Sequence, residues 1–314
     1  MVKKTEVALV KGNSRYENII SSLNFIEKEI LKIIKNKENI LIKPNCVSES
    51  VQLASTHVDA IRAVLDFLQP YNKNITIAEG SAYKTKTAFK NFNYFSLKDK
   101  YNVNFLDLDN DKYEEIIGYD RNMEPIKFGI ARTMLKADCI ISLTIPKTHD
   151  SAIATFGIKN VAVGSLIKKT LFPFRIPIRL VRKIVNRLAS IRNDKAKVHQ
   201  GPRAINKNIF EIYKKVKPAI SVIDGFEAME GNGPIDGSPV KMKIAIAGGH
   251  ALATDLVAAK LIGLEPENIG YLYYCMKYEN FNFKDLKVIG NTSVKKEKRK
   301  FKMHDNIQRQ IGWR

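Results

Sequence analysis

Cysteine is scarce: Cys46, Cys139 and Cys275 are the three in the chain, and no two stand in a CxxC pair. That spacing excludes a disulfide framework and a four-thiolate zinc or iron–sulfur site, so no iron–sulfur cluster is expected. No apolar run approaches the roughly 20 residues that a spanning helix needs. Residues 1–5 lead straight into the strand-like stretch 6–10 without a cleavable signal pattern. The resulting expectation is a cytoplasmic protein, with peripheral membrane contact as its alternative. Trp313 is the sole tryptophan and lies next to the C-terminus. A docked apolar anchor is its ordinary role there. Acids are also in deficit, 32 against 52 basic residues, for a formal charge of +20. The 314 residues, 45% hydrophobic, suffice for one large core or two modest ones.

The excess charge is unevenly placed. Residues 159–203 hold 12 Lys and Arg against one acid, Asp194, and 295–302 hold six basic residues against Glu297. From 176 to 192 the pattern is helical and two-sided. Leu180, Val181, Ile184, Val185 and Leu188 share one face, while Arg175, Arg179, Arg182, Lys183 and Arg187 share the other. A cationic face without acids suits an anionic membrane surface or an acidic partner; a helix covering the core gives the same apolar stripe. Nucleic acid is the less favoured partner, since no recognised nucleic-acid motif accompanies the charge.

The first half alternates β-rich runs at 7–10, 40–43, 75–78, 103–106 and 139–144 with helical spacing at 16–35, 56–68 and 126–136. Thr56, three residues before Asp59, is the expected helix cap. The second half continues with a helix at 208–215, strands at 219–223 and 240–247, and a helix at 253–262. This alternation predicts an α/β fold, a mostly parallel sheet flanked by helices, in two halves. The halves are 1–145 and 146–290, the second carrying a basic insertion at about 165–203; a basic tail, 291–314, is expected to be loosely attached.

Polar groups follow the apolar runs: Lys43 and Asn45, then Glu79, then Lys147, His149 and Asp150, then Asp224. In a parallel sheet such strand ends share one rim, where ligands gather. His149 suits acid–base chemistry or metal ligation because its ordinary pKa is near neutrality. Lys147 and Lys159 suit a carboxylate or phosphate. With Asp224 these are the catalytic candidates. Lys43, Asn45, Glu79, Asn160, Glu230, Asn232 and Asp255 are the ligand-binding candidates. The stretch 230–237, with three glycines and a proline, is read as a loop, and it lacks phosphate-loop spacing. His149, His199, His250, Asp224, Glu230 and Asp255 permit a divalent metal, although no spacing fixes them on one element.

The series Ile42-Lys43-Pro44-Asn45, Glu79-Gly80, Pro146-Lys147-Thr148-His149, Gly157-Ile158-Lys159-Asn160, Asp224-Gly225, 229–234 and Thr254-Asp255 resembles the DUF362 family, over about 40–272. The resemblance implies that these residues form one site, and it names no reaction. Many proteins resembling this domain carry a ferredoxin-like cluster segment, whose ligands this chain lacks. A more distant likeness to lactate-racemase-like α/β proteins has no residue-by-residue anchor. Together these readings predict a charged cleft at the strand ends, taking a small anionic ligand as an enzyme or binder. The alternative is an interaction protein that docks through its basic helix.

Overall fold

Runs that are apolar at every position, rather than at alternate ones, belong in a sheet covered on both faces. All six residues of Cys139–Thr144 are buried, as are the last four of Asn39–Lys43. The computed structural model describes residues 4–169 and 192–314. Its strands are β1 (Thr5–Lys11), β2 (Asn39–Lys43), β3 (Asn74–Glu79), β4 (Val103–Asp107), β5 (Tyr113–Tyr119), β6 (Pro125–Ala131), β7 (Cys139–Thr144), β8 (Lys147–Thr148), β9 (Ala154–Thr155), β10 (Lys168–Lys169), β11 (Arg192–Asn193), β12 (Ile220–Asn232), β13 (Asp236–Gly248) and β14 (Leu286–Gly290).

The main sheet runs in the order β14-β1-β13-β12-β7-β2-β3-β4. Its neighbours pair in parallel, except that β13 runs antiparallel to both β1 and β12. The protein is thus α/β with a mostly parallel sheet between helices. Strands of both chain halves interleave, β1 lying between β13 and β14, so the two halves share one sheet rather than forming separate bodies.

Alternation along each strand sorts the core into two layers. Leu41, Ile140, Ile223 and Ile246 pack on one face with the helices Gly157–Gly164, Pro202–Tyr213 and Ala251–Leu261. Ile40, Ile42, Ile141, Leu143 and Val222 pack on the other with Arg15–Phe25, Glu27–Ile34 and Val58–Leu68. Each such side chain, fully buried, contributes about 1.5–3 kcal/mol.

Several expected elements differ. The helix read at 16–35 breaks at Ile26. The helix read at 56–68 begins at Val58, and its cap is His57, whose Nδ1 accepts the Asp59 N–H at 3.1 Å. Thr56 is occupied elsewhere, donating its hydroxyl to Leu143 O at 2.9 Å. The stretch 126–136 is strand β6 followed by a short helix, Arg132–Lys136, because β6 pairs antiparallel with β5. The glycine-rich stretch 230–237 is the tip of the β12–β13 hairpin, with Asn232 opposite Asp236. The tail packs firmly: Phe301 and Trp313 are buried, and Trp313 Nε1 donates to Asn268 O at 2.9 Å. Arg175, Arg179, Arg182, Lys183 and Arg187 lie outside the described residues, so the expected amphipathic helix does too.

Candidate functional site

Lys43 ends β2 and Glu79 ends the parallel neighbour β3, which brings their side chains to one rim. Lys43 Nζ donates to Glu79 Oε1 at 2.6 Å, Pro44 O at 2.8 Å and Asn160 Oδ1 at 3.4 Å. Glu79 Oε1 also accepts the Gly80 N–H at 2.8 Å, and Oε2 accepts the Cys46 N–H at 3.0 Å. A buried ion pair persists only when the remaining donors and lone pairs are satisfied, as they are here. Gly164 covers the pair at close range. A Cβ there would collide with Lys43 Cε and Nζ.

Behind this pair Lys147 donates to Asn45 Oδ1 at 2.6 Å and Ala54 O at 2.9 Å. An ammonium only donates, so it fixes the Asn45 amide with its NH2 toward Asn160 Oδ1, 3.0 Å away. Asn160 Nδ2 donates in turn to Lys43 O and Ser142 Oγ, each at 3.1 Å. Burial, with the Lys159 charge adding to it, pushes Lys147 down to about 7. Ammonium and amine forms are therefore close in free energy near neutrality.

A cavity of about 480 Å³ opens in front of this network, walled in part by Lys43, Asn45, Glu79, His149, Lys159 and Asn160. This is the size of a small-metabolite site. Lys159 sits on the helix Gly157–Gly164 and is 5% exposed, and it forms no hydrogen bond or ion pair with any described residue. Burial pushes it down to about 8, with the Asp150 charge opposing.

His149 reaches the cavity from the loop after β8. Its Nδ1 is 2.9 Å from Asp150 Oδ1 and 3.1 Å from Ser151 N. Burial and then the Lys159 charge push it down to about 3, so the imidazole is neutral at pH 7. The C-terminal tail holds this loop: Gln310 Nε2 donates to His149 O at 2.8 Å, and its Oε1 accepts the Ile153 N–H at 2.6 Å. His199 stacks on His149 with centroids 6.1 Å apart and planes 14° apart. His199 Nδ1 lies 2.7 Å from Lys195 O. A carbonyl only accepts, so Nδ1 carries the proton and Nε2 of the neutral ring keeps a lone pair. Burial, reinforced by Lys159, lowers the His199 pKa as well.

Several wall residues escaped the sequence reading. Lys195 is buried and paired with Asp109, and Lys168 donates to the carbonyls of Ala82 and Tyr83. Asn193 lines the cavity beside them. Thr155 lines it from β9, its buried Oγ1 lacking a protein partner. In sequence Lys168 and Lys195 are indistinguishable from the solvated lysines of the basic stretch.

Five expected site residues stand off the cavity wall. Lys147 acts from behind Asn45. Asp224 lies within β12, which continues to Asn232, and it turns to the other face of the sheet, where its Oδ2 is 2.8 Å from Arg15 Nε. Asp255 accepts the N–H groups of Gly157 and Ile158, both at 2.9 Å, and so caps the helix that carries Lys159. Burial pushes Asp255 up to about 8, against those two hydrogen bonds. Glu230 Oε2 accepts the Lys302 N–H at 2.9 Å, and Asn232 Nδ2 donates to Asp305 Oδ2 at 2.8 Å. Both bind the tail rather than a ligand. Among the described residues no three His, Cys, Asp or Glu side chains gather as metal ligands. His250 instead meets Glu279 Oε2 at 3.0 Å and stacks on Phe281.

Fold and site together define an α/β protein with a lysine-lined cavity at the carboxyl ends of parallel strands. The chain belongs to the family described as Domain of unknown function (DUF362), which matches residues 40–260. A thylakoid-associated protein of Synechocystis sp. is 21% identical over 239 residues, covering 75% of this chain and 66% of that protein. The lactate racemase apoprotein of Thermoanaerobacterium thermosaccharolyticum aligns with a TM-score of 0.49 at 15% identity, over 81% of this chain and 56% of its own. This chain therefore spans just under two thirds of the one and little more than half of the other.

Proposed function

We propose that the cavity binds a small organic anion and that Lys159 is its counter-charge. The observation that carries this reading is a lysine buried on a cavity wall with no hydrogen-bond or ion-pair partner among the described residues, the Asp150 carboxylate lying beyond ion-pair distance. Burying an unpaired ammonium costs several kcal/mol, and an incoming carboxylate or phosphate removes that cost. Lys168, whose hydrogen bonds among the described residues go to backbone carbonyls, adds positive potential on the same wall, while Asn160 and Thr155 offer neutral polar contacts. Titration calorimetry with pyruvate and with phosphate, at low salt, tests it. One-to-one binding of either by the wild type, weakened at least about tenfold in Lys159→Met, is expected for a buried charge pair. Absence of binding by both anions at millimolar concentration, together with no anion retained in native mass spectra, ends the reading.

A second reading concerns the basic segment, and it rests on the acid-free face of 176–192 and on the relative described as thylakoid-associated. In it, Arg179, Arg182, Lys183 and Arg187 dock the protein on an anionic membrane. Cosedimentation with phosphatidylglycerol vesicles, but not with phosphatidylcholine vesicles, is expected. Salt and replacement of the four residues by Gln should each abolish it. Equal binding to both vesicles, or to neither, counts against docking.

A further inference from the structure

We propose that Lys159 is also a nucleophile, its amine condensing with the carbonyl group of a small keto acid held in the cavity to form an imine. This rests on the anion-binding reading above and narrows its ligand to a carboxylate that carries a ketone or aldehyde.

The lysines at this site differ in one respect. Lys43 spends its ammonium hydrogens on three oxygens, Lys147 on two, Lys168 on two backbone carbonyls, and Lys195 on Asp109. Each of these is committed as a donor, and Lys147, which burial also pushes down to about 7, lies behind Asn45 and off the cavity wall. Lys159 alone among these lysines has no hydrogen-bond or ion-pair partner among the described residues, and it is buried on the wall of the cavity. A lysine becomes nucleophilic when it is desolvated, and burial does this here against the opposing Asp150 charge. With its pKa at about 8, on the order of a tenth of the side chains are free amine at pH 7, about 300-fold more than for an ordinary lysine.

The surroundings supply the remaining roles. His199 Nε2 bears a lone pair and, on a neutral ring, can take the proton that Lys159 gives up. The amine lone pair then forms the C–N bond while the carbonyl π electrons move to oxygen, and a proton passes from the nitrogen to that oxygen to give a neutral carbinolamine. Expulsion of that oxygen needs a proton, which the His199 imidazolium returns, so water leaves and the protonated imine remains. The sum is ammonium plus carbonyl giving iminium plus water, with no net proton and no redox partner. Thr155 Oγ1, buried and unpartnered on the wall, is placed to meet the carbinolamine oxygen or the carboxylate. Lys168 offers the carboxylate a positive charge while Lys159 is a neutral amine, and the iminium restores the charge at Lys159 afterwards.

Borohydride converts an imine into a permanent secondary amine, which makes the proposal directly testable. The full-length protein is incubated with pyruvate, reduced with sodium borohydride, weighed intact and mapped by peptide mass spectrometry. One reductively coupled pyruvate per chain, on Lys159, is expected. Labelling should rise with pH from 6 and level off above about 8, following the free-amine fraction. Lys159→Arg keeps the cation without the nucleophile, so it should bind pyruvate in the calorimeter and give no adduct. Pyruvate binding by the wild type without an adduct overturns the imine and leaves anion binding intact. Binding of phosphate without pyruvate, or an adduct spread over many lysines, also overturns it. Failure to bind any anion removes both readings.

Discussion

Replacing Lys159 by methionine is expected to stabilise the ligand-free protein at pH 7 by about 2–3 kcal/mol, even as it abolishes anion binding. The reasoning is thermodynamic linkage. In the unfolded chain Lys159 titrates near 10.5, whereas in the folded protein burial pushes it down to about 8. Below pH 8 both states carry the proton, and the folded state bears the full cost of an unpaired buried charge. Between pH 8 and 10.5 the unfolded state holds a proton that the folded state has released, so wild-type stability rises with pH through that window. Methionine has a similar length, no charge and no such slope. The gap between variant and wild type should therefore be widest below pH 8 and close by about pH 10.5. Chemical denaturation of both proteins from pH 6 to 10.5 measures it. A variant less stable than wild type at pH 7 would show that Lys159 is a structural donor. A gain in stability coupled to a loss of binding is the signature of a residue retained for function.

Glu79→Ala should act in the opposite direction and more strongly. Glu79 is 2% exposed, and its two oxygens serve Lys43 and the N–H groups of Gly80 and Cys46. Removing it strands a fully buried lysine and two backbone donors. Breaking one side of a buried ion pair costs about 3–5 kcal/mol. The paired variant Lys43→Met with Glu79→Leu leaves no orphaned charge and should lose far less than the sum of the single changes. That non-additivity isolates the pair. Urea denaturation of the wild type, Lys43→Met, Glu79→Leu and the double variant gives the coupling free energy. Additive losses would mean that Lys43 and Glu79 act independently.

Much of the fold was legible because its central strands are apolar on both faces. The runs at 40–43, 75–78 and 139–144 carry no alternation that a helix could imitate. The stretch 126–136 failed for the opposite reason. Ile126, Ile130 and Met134 recur every four residues, as on a helix, while Ile126, Phe128 and Ile130 also alternate as on a strand. Only pairing with β5 decides between them. Residues placed just beyond a strand, such as Lys43, Glu79 and His149, were found because strand ends converge whatever the side chains do. Asp224 was misplaced because β12 runs on past it, and one step along a strand exchanges faces of the sheet. Asp255 lies near the site but spends both oxygens on backbone N–H groups. Lys195 was invisible for a different reason: nothing local distinguishes a buried lysine from an exposed one until Asp109, 86 positions away, is folded against it.

The position of β1 also constrains how the protein is made. Residues Thr5–Lys11 are made before the other strands of this sheet, yet their sheet partners are Asp236–Gly248 and Leu286–Gly290, more than 200 positions further on. The strand therefore waits through synthesis of most of the polypeptide with Val7, Ala8, Leu9 and Val10 uncovered, all of which end up buried. Contacts this distant in sequence form late and slowly, and an unpaired apolar strand is an aggregation hazard until they do. Growth of the sheet during translation must begin with β2, β3, β4 and β7, which pair with one another and are all made by residue 144. The strand made ahead of its sheet neighbours is thus among the last of them to be inserted.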